Sequence, residues 1–198
     1  ALPLYQLPQR LNEPLRKVIQ NIANQYDKPT DRMMAALLYV QKEIRYLGVE
    51  IGANSHAPNA PDVVLGRRFG DCKDKTLLTL TLLQGLGIQA KAALVNTQVQ
   101  RGIRQYEPTP NAFNHVLVNA QIDGIDYWID PTRSKQVLNA EKVYQPDYGY
   151  ALLVDSRTKD LTPMVKTASQ VQKRTIHTLL DSSGGIDKPS QFVVTSTF

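Results

Sequence analysis

The sequence predicts an α+β fold in which helices come first and an antiparallel sheet follows. Apolar residues recur at helical spacing in much of the chain up to Gly87, and from Ile88 onward short apolar runs are separated by turn residues, as in strands. The pair Asp123-Gly124 is typical of a two-residue hairpin turn between two such runs. We therefore expect a helical half packed on a sheet.

Composition excludes several classes of protein. The chain has 198 residues, of which 42% are hydrophobic and 21% charged, so it can bury a core. The net charge is +5, but the basic residues are scattered and do not interleave with aromatics, so no nucleic-acid partner is expected. No apolar stretch approaches the roughly eighteen residues of a membrane span. A single cysteine excludes a disulfide within the chain.

Two helices are predicted before the first long connection. The first covers residues 12–26 and has an asparagine as its N-cap. The second is predicted to start at a cap on Thr30 or Asp31 and to end near Tyr46. Residues 48–68 then read as an irregular segment, and connections of that length within a domain are often functional.

A third helix is predicted to begin with the cysteine. Asp71 can act as its N-cap, and Asp74 stands where a capping box requires an acceptor. Leucines then cover most of the helix circumference, so the helix should be buried on most sides. Cys72 lies in the first turn, where free N–H groups and the helix dipole favour a thiolate. Lys73 and Lys75 could tune the thiolate, but we expect them to be solvated.

The strands are predicted from alternating runs and turn residues. Four are expected in the main domain: Gln89–Thr97, Ala112–Ile122, Ile125–Asp130 and Tyr150–Val154. A further hairpin is predicted from residues 171–180 and 191–198. We expect three segments: a linker or the tail of a preceding domain over residues 1–11, a domain over 12–165, and the start of a β-rich domain over 166–198.

The hairpin register brings a histidine and an aspartate together. If the Asp-Gly pair forms the turn, Ile122 opposes Ile125, and His115 and Asp130 become diagonal neighbours on one face of the sheet. A slip of one residue would separate them to opposite faces. We expect the cysteine helix to pack across the face that they share.

These three residues suit nucleophilic acyl transfer. Cys72 would act as nucleophile, His115 as proton acceptor and donor, and Asp130 as the group that orients the ring. The N–H of Cys72 is a candidate oxyanion donor, and a second donor is expected from the loop over residues 48–68, with Tyr46, Asn54 and His56 as the polar candidates. The candidate substrate-binding or oxyanion residues are Tyr46, Asn54, His56, Asn114 and Trp128. Trp128 could equally be a packed aromatic. No metal site is expected, because no group of residues has zinc-ligand spacing.

Several of these motifs resemble the bacterial transglutaminase-like superfamily. The resemblance rests on the block over residues 67–75, Phe113-Asn114-His115-Val116 and residues 127–132, and it covers roughly residues 12–160. More narrowly, the sequence is similar to the branch in which this domain lies between two β-rich domains.

The resemblance implies a papain-like core with the cysteine on a central helix. Position by position, Cys72, His115 and Asp130 match the superfamily's triad. The resemblance further implies a protein or peptide substrate, flanking β-rich domains and an exported, most often periplasmic, protein, although a cytoplasmic location stays open. No cofactor is expected, and no calcium-loop pattern is evident.

We interpret the chain as a cysteine-dependent acyl-transfer domain. It would act on peptide or glutamine-type amides through an acyl-thioester on Cys72, by hydrolysis as a protease or amidase, or by transamidation. The alternative is a peptide- or cell-envelope-binding module that keeps the fold without turnover. An amine acetyltransferase is a weaker option, because no acyl-CoA site is evident. An open groove at Cys72 would favour an enzyme, and a plug formed by residues 98–111 would favour the module.

Overall fold

The computed structural model describes residues 2–48, 57–134, 136–143, 145–165 and 175–197. The chain divides into two units, residues 1–168 and residues 169–198. The first unit contains helices α1 (Glu13–Gln25), α2 (Pro29–Glu43), α3 (Pro61–Arg67) and α4 (Cys72–Gly85). Its strands are β1 (Arg45–Tyr46), β2 (Phe69–Gly70), β3 (Gln89–Val95), β4 (His115–Ile122), β5 (Ile125–Ile129), β6 (Tyr150–Leu153) and β7 (Thr162–Pro163).

Helix α1 and helix α2 begin in different ways. Asn12 caps α1 as predicted, because its Oδ1 accepts a hydrogen bond of 3.0 Å from the N–H of Leu15. The predicted cap of α2 at Thr30 or Asp31 is wrong. Pro29 already occupies the first turn, where its fixed φ suits a helix, and Lys28 provides no side-chain cap.

The chain after α2 is extended and lies beside the residues that lead into α4. The predicted helix end near Tyr46 is wrong, because α2 stops at Glu43 and β1 follows. Strand β1 pairs in parallel with β2, with Arg45 opposite Phe69. The N–H of Leu47 also donates to the carbonyl of Gly70 at 3.0 Å. The segment that follows α2 is thereby fixed next to the start of the cysteine helix.

Helix α3 corrects the prediction that residues 48–68 are irregular throughout. Pro61 lies in the first turn of this short helix, and Val64 and Leu65 are buried. The helix ends at Arg68, which adopts a left-handed conformation with φ of 62°. Seven residues are too few to show a clear apolar period, so helical spacing in the sequence does not reveal this helix.

The main sheet has the strand order β5-β4-β3-β6-β7, and its neighbouring strands are antiparallel. The predicted hairpin register is confirmed, since Ile122 pairs with Ile125 and Val118 pairs with Ile129. The architecture is α+β, as predicted.

Helix α4 packs on the sheet face opposite to the predicted one. Val116 and Val118 of β4 join the buried cluster that contains α4, whereas Leu117 and Trp128 belong to a second cluster on the other face. The hydroxyl of Thr76 on α4 donates to the carbonyl of Val116 at 3.3 Å. The expectation that α4 crosses the face of His115 is therefore wrong. Alternating apolar residues on both faces of β4 left the choice of face open in the sequence.

The second unit is a hairpin of β8 (Thr175–Asp181) and β9 (Gln191–Thr197), paired antiparallel. Its most exposed apolar side chains within the strands include Leu179, Leu180 and Phe192, each more than 60% exposed. Two strands alone bury too little apolar surface for independent stability. The expected domain boundary at residue 165 stays a prediction.

In the described part of the chain, none of the helices combines the length and the apolarity that crossing a bilayer requires.

Candidate active site

The start of α4 is held by a complete capping box. Oδ1 of Asp71 accepts hydrogen bonds from the N–H of Lys73 at 2.9 Å and of Asp74 at 3.1 Å. In return, Oδ2 of Asp74 accepts a bond from the N–H of Asp71 at 3.3 Å. The predicted cap is thus confirmed. It engages the second and third amides of the helix, so the amide of Cys72, at the first position, stays available to a ligand.

Asp74 also ties α3 to α4. Its carboxylate accepts bonds from the N–H of Asn59 at 2.7 Å and from Nη2 of Arg67 at 2.5 Å. A Cβ at Gly70 would lie only 2.7 Å from the Cβ of Asp74, so no other residue fits there without displacing the cap. Glycine before the aspartate and the cysteine is therefore a packing requirement of the site.

The expectation that Lys73 and Lys75 are solvated is wrong. Lys73 is buried, and its Nζ lies 2.7 Å from Oδ2 of Asp71. Lys75 is only 1% exposed, and its Nζ donates to the carbonyl of Ile44 at 2.6 Å. Burial lowers the pKa of Lys75 to about 8, and the negative charge of Asp130 opposes part of that effect. Because α4 is enclosed on nearly all sides, its charged residues pair inside the protein.

Replacing Lys75 with methionine should change how stability depends on pH. The unfolded chain binds the lysine proton more tightly than the folded chain, so burial costs stability fully below pH 8 and ceases to cost it as pH rises to about 10.5. As pH rises from 8 to 10.5, the free energy of unfolding of the wild type should increase by about 3 kcal/mol relative to that of Lys75→Met. Urea unfolding from pH 7 to 10.5 measures this, with Lys42→Met on an exposed part of α2 as the control. A pH-independent difference would contradict the assignment.

His115 and Asp130 form a buried pair at one end of the sheet. Nε2 of His115 lies 2.9 Å from Oδ2 of Asp130, and the two side chains are 14% and 2% exposed. The other carboxylate oxygen of Asp130 accepts bonds from Thr132, from its N–H at 2.9 Å and from its hydroxyl at 2.7 Å. Nε2 of Gln41, on α2, donates to the backbone carbonyl of Asp130 at 2.9 Å. The aspartate is therefore fixed at both oxygens and at its backbone.

Cys72 completes the group. Cys72 lines the same cavity as His115 and contributes to the raised pKa of that histidine. Because Nε2 faces Asp130, Nδ1 is the ring nitrogen left for the sulfur. Burial lowers the pKa of His115, but the bonds to Asp130 and Cys72 and the negative charges of both outweigh it and raise that pKa to about 9. The imidazole is therefore protonated at neutral pH.

The pKa of Asp130 is shifted in the direction expected for a carboxylate that pairs with a protonated His115. Burial acts to raise the pKa of Asp130, but the bonds from His115 and Thr132 and the charge of His115 prevail and lower it. The carboxylate is therefore ionised at neutral pH. Cys72 and His115 thus line one cavity, and the imidazolium of His115 pairs with the carboxylate of Asp130.

Three residues around this group were missed by sequence reasoning. Thr132 stands two residues after Asp130, and this spacing could have suggested the side chain-to-backbone turn that it forms. Tyr148 presents its ring edge-on to the ring of His115, with 6.4 Å between centroids. Gln41 and Tyr148 come from distant parts of the chain and give no local signal.

A cavity of about 940 Å³ opens onto Cys72 and His115. Part of its wall comes from 3₁₀ turns at Gln100–Gln105 and Pro110–Ala112. These turns lie within or at the end of the segment over residues 98–111 that could have blocked the groove at Cys72. Another part comes from Leu4 and Tyr5 near the N-terminus. The 3₁₀ segment lines the cavity and leaves a space beside the sulfur.

The remaining candidate residues have different placements. Asn114 lines the cavity, and its Oδ1 accepts a bond of 2.9 Å from the N–H of Thr97. Tyr46 is 48% exposed on β1 and is not among the described residues that line this cavity. Trp128 is buried in the second cluster and is a packed aromatic. Asn54 and His56 lie outside the described residues.

Comparisons with known proteins agree with the fold. A model of the transglutaminase-like superfamily matches residues 16–149. The structure of a putative protease from Parabacteroides distasonis superposes with a TM-score of 0.57 at 13% sequence identity, over 90% of this chain and 35% of that chain. A putative cysteine protease from Cytophaga hutchinsonii gives a TM-score of 0.49 at 16% identity, over 66% of this chain and 41% of that chain. This chain thus covers less than half of either structure. No curated protein matches the sequence.

Proposed function

The chain belongs to the transglutaminase-like superfamily, and on that premise we propose that it is a cysteine-dependent acyl-transfer enzyme for peptide or glutamine-type amides. One observation supports this most strongly. His115 lies between Cys72 and Asp130, with its pKa raised to about 9, beside a cavity large enough for a peptide segment. A structural cysteine would gain nothing from such a neighbour.

In the first half of the reaction, the proton needed by the leaving group is already in place. The Cys72 thiolate attacks the amide carbon, and the carbonyl electron pair moves to oxygen, where the free N–H of Cys72 stabilises the charge. The C–N bond then breaks, and the imidazolium of His115 gives its proton to the departing amine. The products are an acyl-thioester on Cys72 and a neutral His115.

In the second half, His115 acts as a base. It takes a proton from a water molecule, whose oxygen attacks the thioester carbon, and the C–S bond breaks to return the thiolate. Asp130 keeps the ring in the orientation that serves both halves and stabilises its charged form. An amine in place of water would give a crosslink. We propose hydrolysis as the main outcome, because water is the default acceptor.

A peptide library tests this proposal and its alternative. Wild-type protein and Cys72→Ala are incubated with glutamine-containing peptides, with and without a primary amine, and the products are identified by mass. Hydrolysis adds one water across an amide, and transamidation replaces ammonia by the amine. We expect cleaved or deamidated peptides with the wild type alone. Binding without any Cys72-dependent product would contradict the proposal and favour a binding module.

A further inference from the structure

The N-terminal segment is part of the cleft. Residues Leu2–Tyr5 form a 3₁₀ turn, although the sequence reads as a linker there. Leu4 and Tyr5 line the same cavity as Cys72 and His115. The ring of Tyr5 is partly buried and packs against the main core of the first unit. The segment is therefore held against the catalytic unit by apolar contacts, and its tyrosine faces the cleft.

Tyr5 lines the same cavity as Cys72 and Lys73, the first two residues of α4. Burial, together with the negative charges of Cys72, Asp71 and Asp74, raises the pKa of Tyr5 well above its ordinary value. All three charged groups belong to the N-cap and first turn of α4, which also presents the free amide of Cys72. The hydroxyl consequently keeps its proton at any pH at which the enzyme would work. Among the described residues, no hydrogen-bond partner of this hydroxyl is found.

An oxyanion at Cys72 needs a second donor. The N–H of Cys72 is the first, and such sites commonly combine two or more donors. Of the three residues suggested for this role, Tyr46 is the one within the described part of the chain. It is not among the described residues that line the cavity. Tyr5 has what the role requires: a protonated hydroxyl and a place on the wall of the cavity that Cys72 also lines.

We propose that the hydroxyl of Tyr5 donates a hydrogen bond to the oxyanion formed at Cys72, as the second donor beside the N–H of Cys72. This inference rests on the proposed acyl-transfer function. The bond is useful only while the substrate oxygen carries charge, so it lowers the barrier to acylation more than it strengthens substrate binding. It makes the N-terminal segment a contributor to the chemistry.

Two reactions of the same sulfur separate this role from a structural one. Acylation by a p-nitrophenyl ester passes through an oxyanion, whereas alkylation by iodoacetamide displaces iodide and forms none. Tyr5→Phe keeps the ring and its packing and removes only the hydroxyl. We expect single-turnover acylation to slow by about 100-fold, while alkylation stays within about twofold of the wild type. Tyr26→Phe, a partly buried tyrosine packed on the same core outside the cavity lining, is the matched control.

The outcomes are distinct. Acylation of Tyr5→Phe at or above the wild-type rate would overturn the role of Tyr5 and leave the proposed function standing. Equal slowing of acylation and alkylation would assign Tyr5 a purely structural role and also overturn it. If the wild type shows no ester acylation that Cys72→Ala abolishes, the proposed function itself fails, and the role of Tyr5 fails with it.

Discussion

Replacing His115 with alanine should slow acyl transfer by about 10⁴-fold or more, the scale typical of removing one member of a catalytic triad. The variant loses the proton that the departing amine needs and the positive charge beside the Cys72 sulfur. The measurement is single-turnover acylation with an amide substrate under conditions where both proteins are folded.

His177→Ala provides the matched control for this variant. His177 lies on β8, in the hairpin of the second unit. It should leave the rate unchanged. A loss of less than about tenfold in His115→Ala would show that proton transfer by this ring does not limit the reaction.

Replacing Asp130 with alanine should cost about 3–5 kcal/mol in the free energy of unfolding at pH 7, because it removes the buried carboxylate that pairs with the charged His115. Thr132 would also lose the acceptor for both its N–H and its hydroxyl. Urea unfolding measures the loss, and Asp126→Ala, at an exposed position on β5, is the control.

The cost of Asp130→Ala should depend on pH in a defined direction. The folded pKa of His115 is raised to about 9, so the contribution of its charge is present below the ordinary value of 6.5 and is lost as pH rises through 9. The difference between wild type and Asp130→Ala should therefore shrink as pH rises from about 6.5 to 9 and level off above pH 9. A difference that stays below about 1 kcal/mol at pH 7 would contradict the buried ion pair.

The parts of the site that follow from local rules could be predicted from the sequence. The capping box depends on residues three apart, and the side-chain parity of His115 and Asp130 follows from one two-residue turn. Both rules act over short separations, so no knowledge of the tertiary structure was needed. The structure places the Asp71 cap and the His115–Asp130 pair where those rules predict them.

Features that depend on packing could not be predicted in this way. The face of β4 that meets α4 depends on which of two apolar faces the helix covers. The burial of Lys75 depends on its reaching the carbonyl of Ile44, 31 residues earlier. The N-terminal segment contains two prolines and reads as a linker, which gives no sign that Tyr5 will pack on the core of the first unit. Each of these contacts joins distant parts of the chain, and no local pattern encodes it.

The central claim is that His115 holds its proton more tightly than a free imidazole because it interacts with both Cys72 and Asp130. An NMR titration of the histidine rings tests it most directly, since the chain has only three histidines to assign. The account predicts that His115 titrates near pH 9 in the wild type and at a clearly lower pH in Cys72→Ala. Titration near the ordinary value of 6.5, unchanged by removal of the sulfur, would contradict it.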